Sequence, residues 1–544
     1  MSRVVVVGAG VAGLATAGLL AREGHEVTVL EKNEQVGGRA GVLETEGFRF
    51  DTGPSWYLMP EVFDHFFELM GTSTAAQLEL RTLDPGYTVF SEPRGKAPAE
   101  RVVVPHGRQA ACALFESLEP GAGRALDRYL DEAGRASQLA NRFFLYNPFS
   151  NLRSLATRDV VRAAPSLARL LGTSLERHVE RRFTHPVLRQ VLGYPAVFLA
   201  TRPADAPAIY HLMSSLDLDQ GVQYPVGGFW GLVGRIAALA EDAGARVVTG
   251  AKVIGIDTGG TAPDGRSRVR AVRWTDATGT ARQTPADVVV SAADLHHTET
   301  RLLAPRDRTY PEAWWRRRTS GPGAVLAMLG IEGEIPELGH HSLFFTRDWE
   351  QNFDAIFSRN PHVPHPASAY VCKPSATEPG LAPPGHENLF VLVPVPADVG
   401  LGAGGADGQG SPDVELVADR AIEQVATWAQ VPDLARRVVV RRTVGPADFA
   451  RDFHSWRGGV LGPAHVLTQS AMFRAGNESK KVAGLFYAGA TTSPGVGVPM
   501  CLISAEIVLK RVRGDRSAGP LPADALAGSA VRAPAVPSTA RAAS

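Results

Sequence analysis

The first forty residues carry the pattern that constrains the fold most. Residues 4–7 are four consecutive valines, the composition of a strand buried on both faces of a parallel sheet. They run straight into Gly8-Ala9-Gly10-Val11-Ala12-Gly13, a G-x-G-x-x-G turn. Residues 14–23 then have helical character and stop at Gly24, and a second apolar strand over 26–30 ends beside Glu31. Strand, glycine turn, helix, strand and carboxylate make a parallel βαβ unit that wraps a dinucleotide. Its helix N-terminus receives the pyrophosphate, and the acidic residue receives a ribose hydroxyl. The absence of charge between Arg3 and Arg22 also suits a secretory signal or a short anchor. Interior glycines, each costing a helix roughly 1 kcal/mol against Ala, oppose that reading. The segment is a nucleotide site.

NAD and FAD both use this turn, so the choice needs other residues. A second glycine pair, Gly37-Gly38, precedes Arg39, which can pair with a phosphate or a carboxylate. Phe50-Asp51-Thr52-Gly53-Pro54 is a further glycine-bearing loop after a short strand. Near the other end, Gly484-Leu485-Phe486-Tyr487-Ala488-Gly489-Ala490 leads into Pro494-Gly495-Val496-Gly497-Val498-Pro499.

That order of motifs resembles the FAD-containing amine oxidase and phytoene desaturase superfamily. The resemblance implies FAD as cofactor, with Gly8, Gly10, Gly13 and Glu31 around the ADP half. Gly38, Arg39, Gly53, Pro54 and a backbone contact to adenine at Val253 follow, and Gly489, Gly497 and Val498 close over the flavin. One departure is Ala490, where amine oxidases usually carry an acidic residue. The similarity to bacterial-type carotenoid desaturases is greater, on residues 51–63 (DTGPSWYLMPEVF), 158–165 and 484–500, and it spans about residues 3–512.

The implied fold is α/β: a Rossmann-like FAD-binding domain interleaved with a mixed-sheet and helical substrate domain. The FAD domain would comprise 1–75, 224–299 and 445–512, the substrate domain 76–223 and 300–444, with 513–544 a disordered tail and 402–411 a flexible loop. The implied activity is stepwise desaturation of phytoene to lycopene. A hydride passes to the flavin, a proton leaves the neighbouring carbon, and electrons go to a quinone or oxygen. With one dinucleotide fingerprint, no NAD(P) site is expected. The flavin carries the difficult step and the protein orients the chain and excludes water, so no strong base is needed. Arg158 and Asp159, in the central motif, are the candidates for a polar catalytic pair, although surface pairing is their ordinary role.

Composition bounds the alternatives. The 544 residues carry 56 basic and 56 acidic side chains, so the chain is neutral and nucleic acid is an unsuitable partner. Cys112, Cys372 and Cys501 are scattered without zinc spacing, so no metal site or disulfide scaffold is expected and a reducing cytosol fits. The pairs His296-His297 and His340-His341 are read as surface or packing residues, because sequence neighbours do not share a face. No nucleophile-elbow, zincin or P-loop pattern is present.

Residues 142–200 hold nine arginines against Asp159, Glu176 and Glu180, with Phe143, Phe144, Leu145, Tyr146, Phe149, Leu152 and Leu155 beside them. That mixture reads as an interfacial membrane-docking surface, placing the protein on the inner face of the cell membrane. A forty-carbon hydrocarbon has no polar handle, so it must pass from bilayer to tunnel. Trp56, Tyr57, Leu58, Met59, Phe63, Phe66 and Phe67 are the candidates to line that tunnel. A flavin amine oxidase and a non-catalytic prenyl-protein escort are the competing readings.

Overall fold

A computed structural model describes residues 1–95, 97–149 and 157–527. Its first sheet has five parallel strands in the order Leu485–Tyr487, Val288–Ser291, Arg3–Val7, Glu26–Leu30, Arg246–Val248. Parallel strands need crossovers and coverage on both faces, which explains the unbroken apolar runs. Val5, Val6, Val29 and Val290 are at most 1% exposed.

The Val11–Arg22 helix links the first two strands and packs against the Gly228–Asp242 and Val498–Arg513 helices. It is buried around nearly its whole circumference, so its composition is Ala, Gly and Leu rather than a one-sided stripe. Leu14, Leu19 and Leu20 are fully buried, and truncating any one to Ala costs about 2–5 kcal/mol.

The second large sheet has seven strands: Val438–Val444, Gly323–Glu332, His386–Val395, Ala369–Cys372, His341–Phe345, Tyr87–Ser91 and Arg101–Val104. It is antiparallel except where His341–Phe345 runs parallel to Tyr87–Ser91. The Pro412–Trp428 helix covers one face through Val414, Val417 and Val425. The helices between residues 108 and 218 build a separate apolar cluster beside its far edge. All five parallel strands fall in the segments 1–75, 224–299 and 445–512, and all seven of the second sheet fall in 76–223 and 300–444. We propose the domain boundaries there.

Two expectations need correction. Disorder does not begin at residue 513: Leu521 and Leu526 are buried in the cofactor-domain core, and Glu506 accepts a hydrogen bond from the Leu521 amide at 2.7 Å. Lys510 donates to the carbonyls of Tyr146, Ser517 and Gly519, tying the returning chain to the helix end. Residues 528–544 lie outside the described residues. The 402–411 loop is likewise held in place, by Gly404 N–H on Asp448 (2.6 Å) and Gly405 N–H on Thr443 (2.8 Å).

Candidate active site

A cavity of about 590 Å³ runs between the two sheets. Gly8, Gly10, Glu31, Gly38, Arg39, Gly53, Pro54, Val253, Gly489, Gly497 and Val498 all line it, brought together from both ends of the sequence. Gly13 does not. A Cβ there would stand 2.0 Å from the Gly8 carbonyl oxygen, so Gly13 lets the helix pack on the strand and touches no ligand space.

Gly10 differs from Gly13. Its hypothetical Cβ meets nothing nearer than the Gly37 carbonyl at 3.9 Å. Gly10 is the N-cap of the Val11–Arg22 helix, with no capping side chain and no acidic residue in the first turn. Helix-start amides without capping partners, together with the helix dipole, form an anion cradle. Gly37 and Gly38, at φ +103° and +56°, fold over it in a conformation only glycine adopts freely.

Glu31 is held from behind. One carboxylate oxygen accepts from Ala9 N–H at 2.7 Å and the other from Asn33 N–H at 2.9 Å. Each oxygen keeps a lone pair for a hydroxyl on the cavity side. Arg39 donates to Ser455 Oγ at 2.6 Å and lies 4.0 Å from Asp294, while its Nε is buried without a partner. Burial raises the Asp294 carboxyl above its ordinary range, with Arg39 opposing. A helix N-terminus open to an anion, a fixed carboxylate and a guanidinium with a spare donor fit the pyrophosphate and ribose of FAD.

Sequence reasoning missed two parts of this site. His297 and His454 stack at 3.8 Å with planes 7° apart, and both line the cavity near Lys32 and Lys252. Burial pushes them down to about 3 and about 4, so the stacked rings are neutral at pH 7. They are more than 150 positions apart, and nothing local announces the pairing. The second is Arg474, whose guanidinium donates to the carbonyls of Ala490 (2.7 Å), Thr492 (3.0 Å), Pro463 (3.3 Å) and Gln469 (3.4 Å). Burial lowers it to about 10, so it stays protonated and clamps the loop at Ala490.

Beyond Gly53 and Gly489 the wall changes character. Trp56, Leu58 and Met59 line the cavity, with Phe198, Phe345, Trp349, Phe353 and Ile356 from the substrate domain. Tyr57 faces away in the extended segment and stacks on Phe63 at 4.2 Å. Phe63, Phe66 and Phe67 are core residues of the Pro60–Leu69 helix and do not line the space. Among the described residues, every Asp, Glu, Lys, Arg and His of the lining belongs to 31–39, 252, 294–297 or 452–454, all in the cofactor domain. The polar side chains of the substrate end, among the described residues, are Ser55, Tyr194, Tyr210, Asn352, Ser368 and Tyr370, with the indole N–H groups of Trp56 and Trp349.

Arg158 and Asp159 are not at this site. Both are exposed in the first turn of the Arg158–Leu171 helix, and Asp159 pairs with Arg142 at 3.1 Å, not with its neighbour. Consecutive helical residues point about 100° apart, so the dipeptide could not act as one unit. The proposed docking surface also divides. Phe143 and Tyr146 are buried and Leu145 lines the cavity, while Leu152 and Leu155 lie outside the described residues. Arg169 and Arg182 both pair with Glu132, and Arg189 with Glu180. What faces outward is the Arg158–Leu171 helix itself, with Val161 62% and Leu171 42% exposed.

Parallel sheet, glycine cradle and a cavity shared with a second domain define a protein of the two-domain dinucleotide-binding type. Residues 11–512 match the family model for flavin containing amine oxidoreductases. The chain is 39% identical to a carotenoid 3,4-desaturase of Haloarcula japonica, over 92% of this chain and 96% of that one. It is 32% identical to a zeta-carotene-forming phytoene desaturase of Myxococcus xanthus, over 94% and 93%. An oxidoreductase structure from Methanosarcina mazei superposes with a TM-score of 0.57 at 16% identity, covering 93% of this chain and all of that one, which shows the shared fold. The chain belongs to the flavin-containing amine oxidoreductase family, within its carotenoid desaturase branch, and FAD is its cofactor.

Proposed function

We propose that this chain, with FAD held in the glycine cradle, desaturates a long carotenoid hydrocarbon. The observation that carries the reading is the cavity wall: continuous with the dinucleotide cradle, it loses every charged side chain where a substrate would lie. An unpaired charge in such a wall would cost several kcal/mol, and an apolar polyene needs none. Bound FAD supplies two-electron oxidation. The protein's part is orientation by Trp56, Phe198 and Phe345 and exclusion of water. A buried ammonium would need an anionic partner, and no carboxylate faces the substrate end among the described residues.

Two reactions fit this class. Phytoene desaturation toward lycopene is the reading the sequence motifs favour. Introduction of a 3,4 double bond into an already conjugated carotenoid is favoured by the 39% relative, against 32% for the phytoene desaturase. Co-expression with a phytoene-producing pathway, and separately with a lycopene-producing one, tests both. A product with a longer chromophore from phytoene supports the first, and from lycopene alone the second. Turnover of an amine with neither carotenoid converted would overturn the class.

No helix among the described residues is long and apolar enough to cross a membrane. The substrate's insolubility supports peripheral attachment, with the exposed apolar residues of the Arg158–Leu171 helix in the lipid surface and Arg158 and Arg162 near the headgroups. Val161→Asp with Leu171→Asp should release the protein from anionic vesicles without changing its flavin content. Retained flotation would remove this helix from the role.

A further inference from the structure

Two buried histidine clusters lie outside the cofactor machinery, and they differ in one respect. Glu132, His178 and His211 come together under the helical cap, but Glu132 already carries both Arg169 and Arg182. Two guanidiniums at that carboxylate exclude a further cation. His340, His341 and Cys372 have no such occupant.

Their assembly follows from the sheet. His341 opens the His341–Phe345 strand and is the register partner of Cys372 on the antiparallel Ala369–Cys372 strand. His340, just before the strand, is turned back so that the two imidazole rings lie 4.5 Å apart at 72°. The expectation that these neighbours would point apart fails here because His340 precedes the regular pleat. One ligand atom from each of the three residues lies within 4.8 Å of the others. His340, His341 and Cys372 are 7%, 1% and 1% exposed.

Each imidazole is already fixed through one nitrogen. His340 Nδ1 is 2.6 Å from Thr377 Oγ1, and His341 Nδ1 is 2.8 Å from the Tyr370 hydroxyl, which also bonds Ser55 at 2.6 Å. The His341 ring is held flat on Trp56 at 4.4 Å. Both Nε2 atoms are buried with no hydrogen-bond partner. Two orphaned nitrogens in one cluster with a thiol, which itself bonds the Tyr370 and Ser55 hydroxyls, and each ring oriented through its other nitrogen, suit a metal-ligating histidine pair. A buried polar group without a partner is costly, so two of them in one place call for an occupant.

A void of about 20 Å³ borders His340, Cys372, Ser55 and Asp51, room for one water. The nearby Lys373 is neutralised by Glu387 at 3.2 Å. We propose that His340, His341 and Cys372 form a metal site for one zinc ion, with two imidazole Nε2 atoms and one thiolate as ligands and a water in the fourth position. Nitrogen and sulfur in this ratio suit tetrahedral zinc, whose bonds of about 2.0–2.3 Å draw the cluster together by a small side-chain shift. Binding replaces the Cys372 S–H bond by a Zn–S bond and releases the proton to solvent. The ion would tie the seven-stranded sheet to the loop through Ser55 and Trp56, both of which line the cavity.

The test is the metal content of protein made without a histidine tag in zinc-supplemented medium, gel-filtered and dialysed against EDTA. Flavin per chain monitors folding. Wild type should keep about one zinc per chain, and Cys372→Ser and His340→Gln should each lose it at least tenfold. If a substituted chain does not fold, zinc-edge X-ray absorption on the wild type decides: one sulfur with nitrogen neighbours is expected. Less than about a tenth of a zinc per flavin-loaded chain, even after incubation with Zn²⁺, would overturn the site and leave a buried water in the void. So would zinc retained by both variants, or a coordination shell without sulfur. Zinc content is read whether or not the chain desaturates a carotenoid.

Discussion

The two ends of the cavity are built by opposite rules. At the cofactor end the walls are backbone: glycines at 8, 10, 37, 38 and 489, an uncapped helix start and a few fixed charges. At the substrate end the walls are side chains, aromatic and aliphatic, with no charge among the described residues. A backbone wall recognises a ligand by hydrogen bonds and tolerates no added atoms. A side-chain wall recognises shape and tolerates one hydrophobic residue for another. The first should therefore fail on small insertions, and the second only on changes of polarity.

The largest expected effect lies in the backbone wall. Gly10→Val should leave the protein folded but nearly free of flavin, a loss above tenfold in flavin per chain, because a Cβ there meets no protein atom nearer than 3.9 Å and would intrude on the proposed pyrophosphate cradle. Gly13→Ala should instead lower the melting temperature, since its Cβ collides with the Gly8 carbonyl. A flavin spectrum and a melting curve on both variants separate the roles. Full flavin in Gly10→Val would move the pyrophosphate elsewhere.

At the other end, Leu212→Glu puts a carboxylate into the uncharged wall from a half-buried lining position. Desolvation of that charge costs several kcal/mol, so carotenoid conversion should fall about a hundredfold with flavin content unchanged. Leu212→Met should stay within about threefold. Equal losses in both variants would mean that the wall reads shape closely, and the contrast between the two ends would narrow.

Next in size is Glu31→Gln, which keeps the side-chain shape but removes the charge. One charge-assisted hydrogen bond to a ribose is worth about 1.5–3 kcal/mol, so FAD affinity should weaken roughly ten- to hundredfold, measured by titration of the apoprotein. An unchanged affinity would leave Glu31 as a brace for Ala9 and Asn33 alone.

Asp51 lies behind the boundary between the two walls and gives a pH signature. Burial raises its carboxyl from 3.8 to about 6, against hydrogen bonds from the Phe229 and Trp230 amides that favour the charged form. The native state thus binds this proton more tightly than the unfolded chain does. Its contribution to stability is complete below about pH 4 and is lost as pH rises through about 6. Urea midpoints across that window should show this falling component in wild type and not in Asp51→Asn. An identical pH dependence in the two proteins would place the Asp51 carboxyl in a more solvated setting.

The same contrast explains what the sequence could disclose. Backbone walls come from contiguous motifs: valine runs, glycine spacing and Glu31 lie within thirty residues, so the strands were legible to within a residue and the helix except for its first turn, which begins at Val11 rather than at residue 14. The closing segment around Gly489 and Gly497 was legible for the same reason. Side-chain walls draw on residues far apart in the chain. Phe198, Phe345 and Ile356 meet only after folding, and the His297–His454 stack and the Arg474 clamp leave no local trace. Even next to a motif the yield was partial: of the seven expected tunnel residues Trp56, Leu58 and Met59 reach the cavity, while Tyr57, Phe63, Phe66 and Phe67 pack in the core. The order in residues 513–527 rests on Leu521 and Leu526, two apolar side chains in a segment whose composition otherwise argues for a loose tail.

The smallest effect belongs to the pair that lies on neither wall. Asp159 forms a bridge to Arg142 with both side chains largely in solvent, and Arg158 is exposed beside it. Exposed ion pairs contribute about 0–1 kcal/mol, because water screens them and ordering two long side chains costs entropy. Arg158→Ala and Asp159→Ala should therefore keep carotenoid turnover within about twofold once substrate is supplied in detergent micelles. On vesicles, the loss of Arg158 should show only as weaker binding to anionic lipid, by about 1 kcal/mol at low salt, and raised salt should erase the difference. A turnover loss above tenfold in micelles would break the pattern. It would mean that charge from the helical cap reaches the reacting chain, although every charged group in the cavity wall belongs to the cofactor domain.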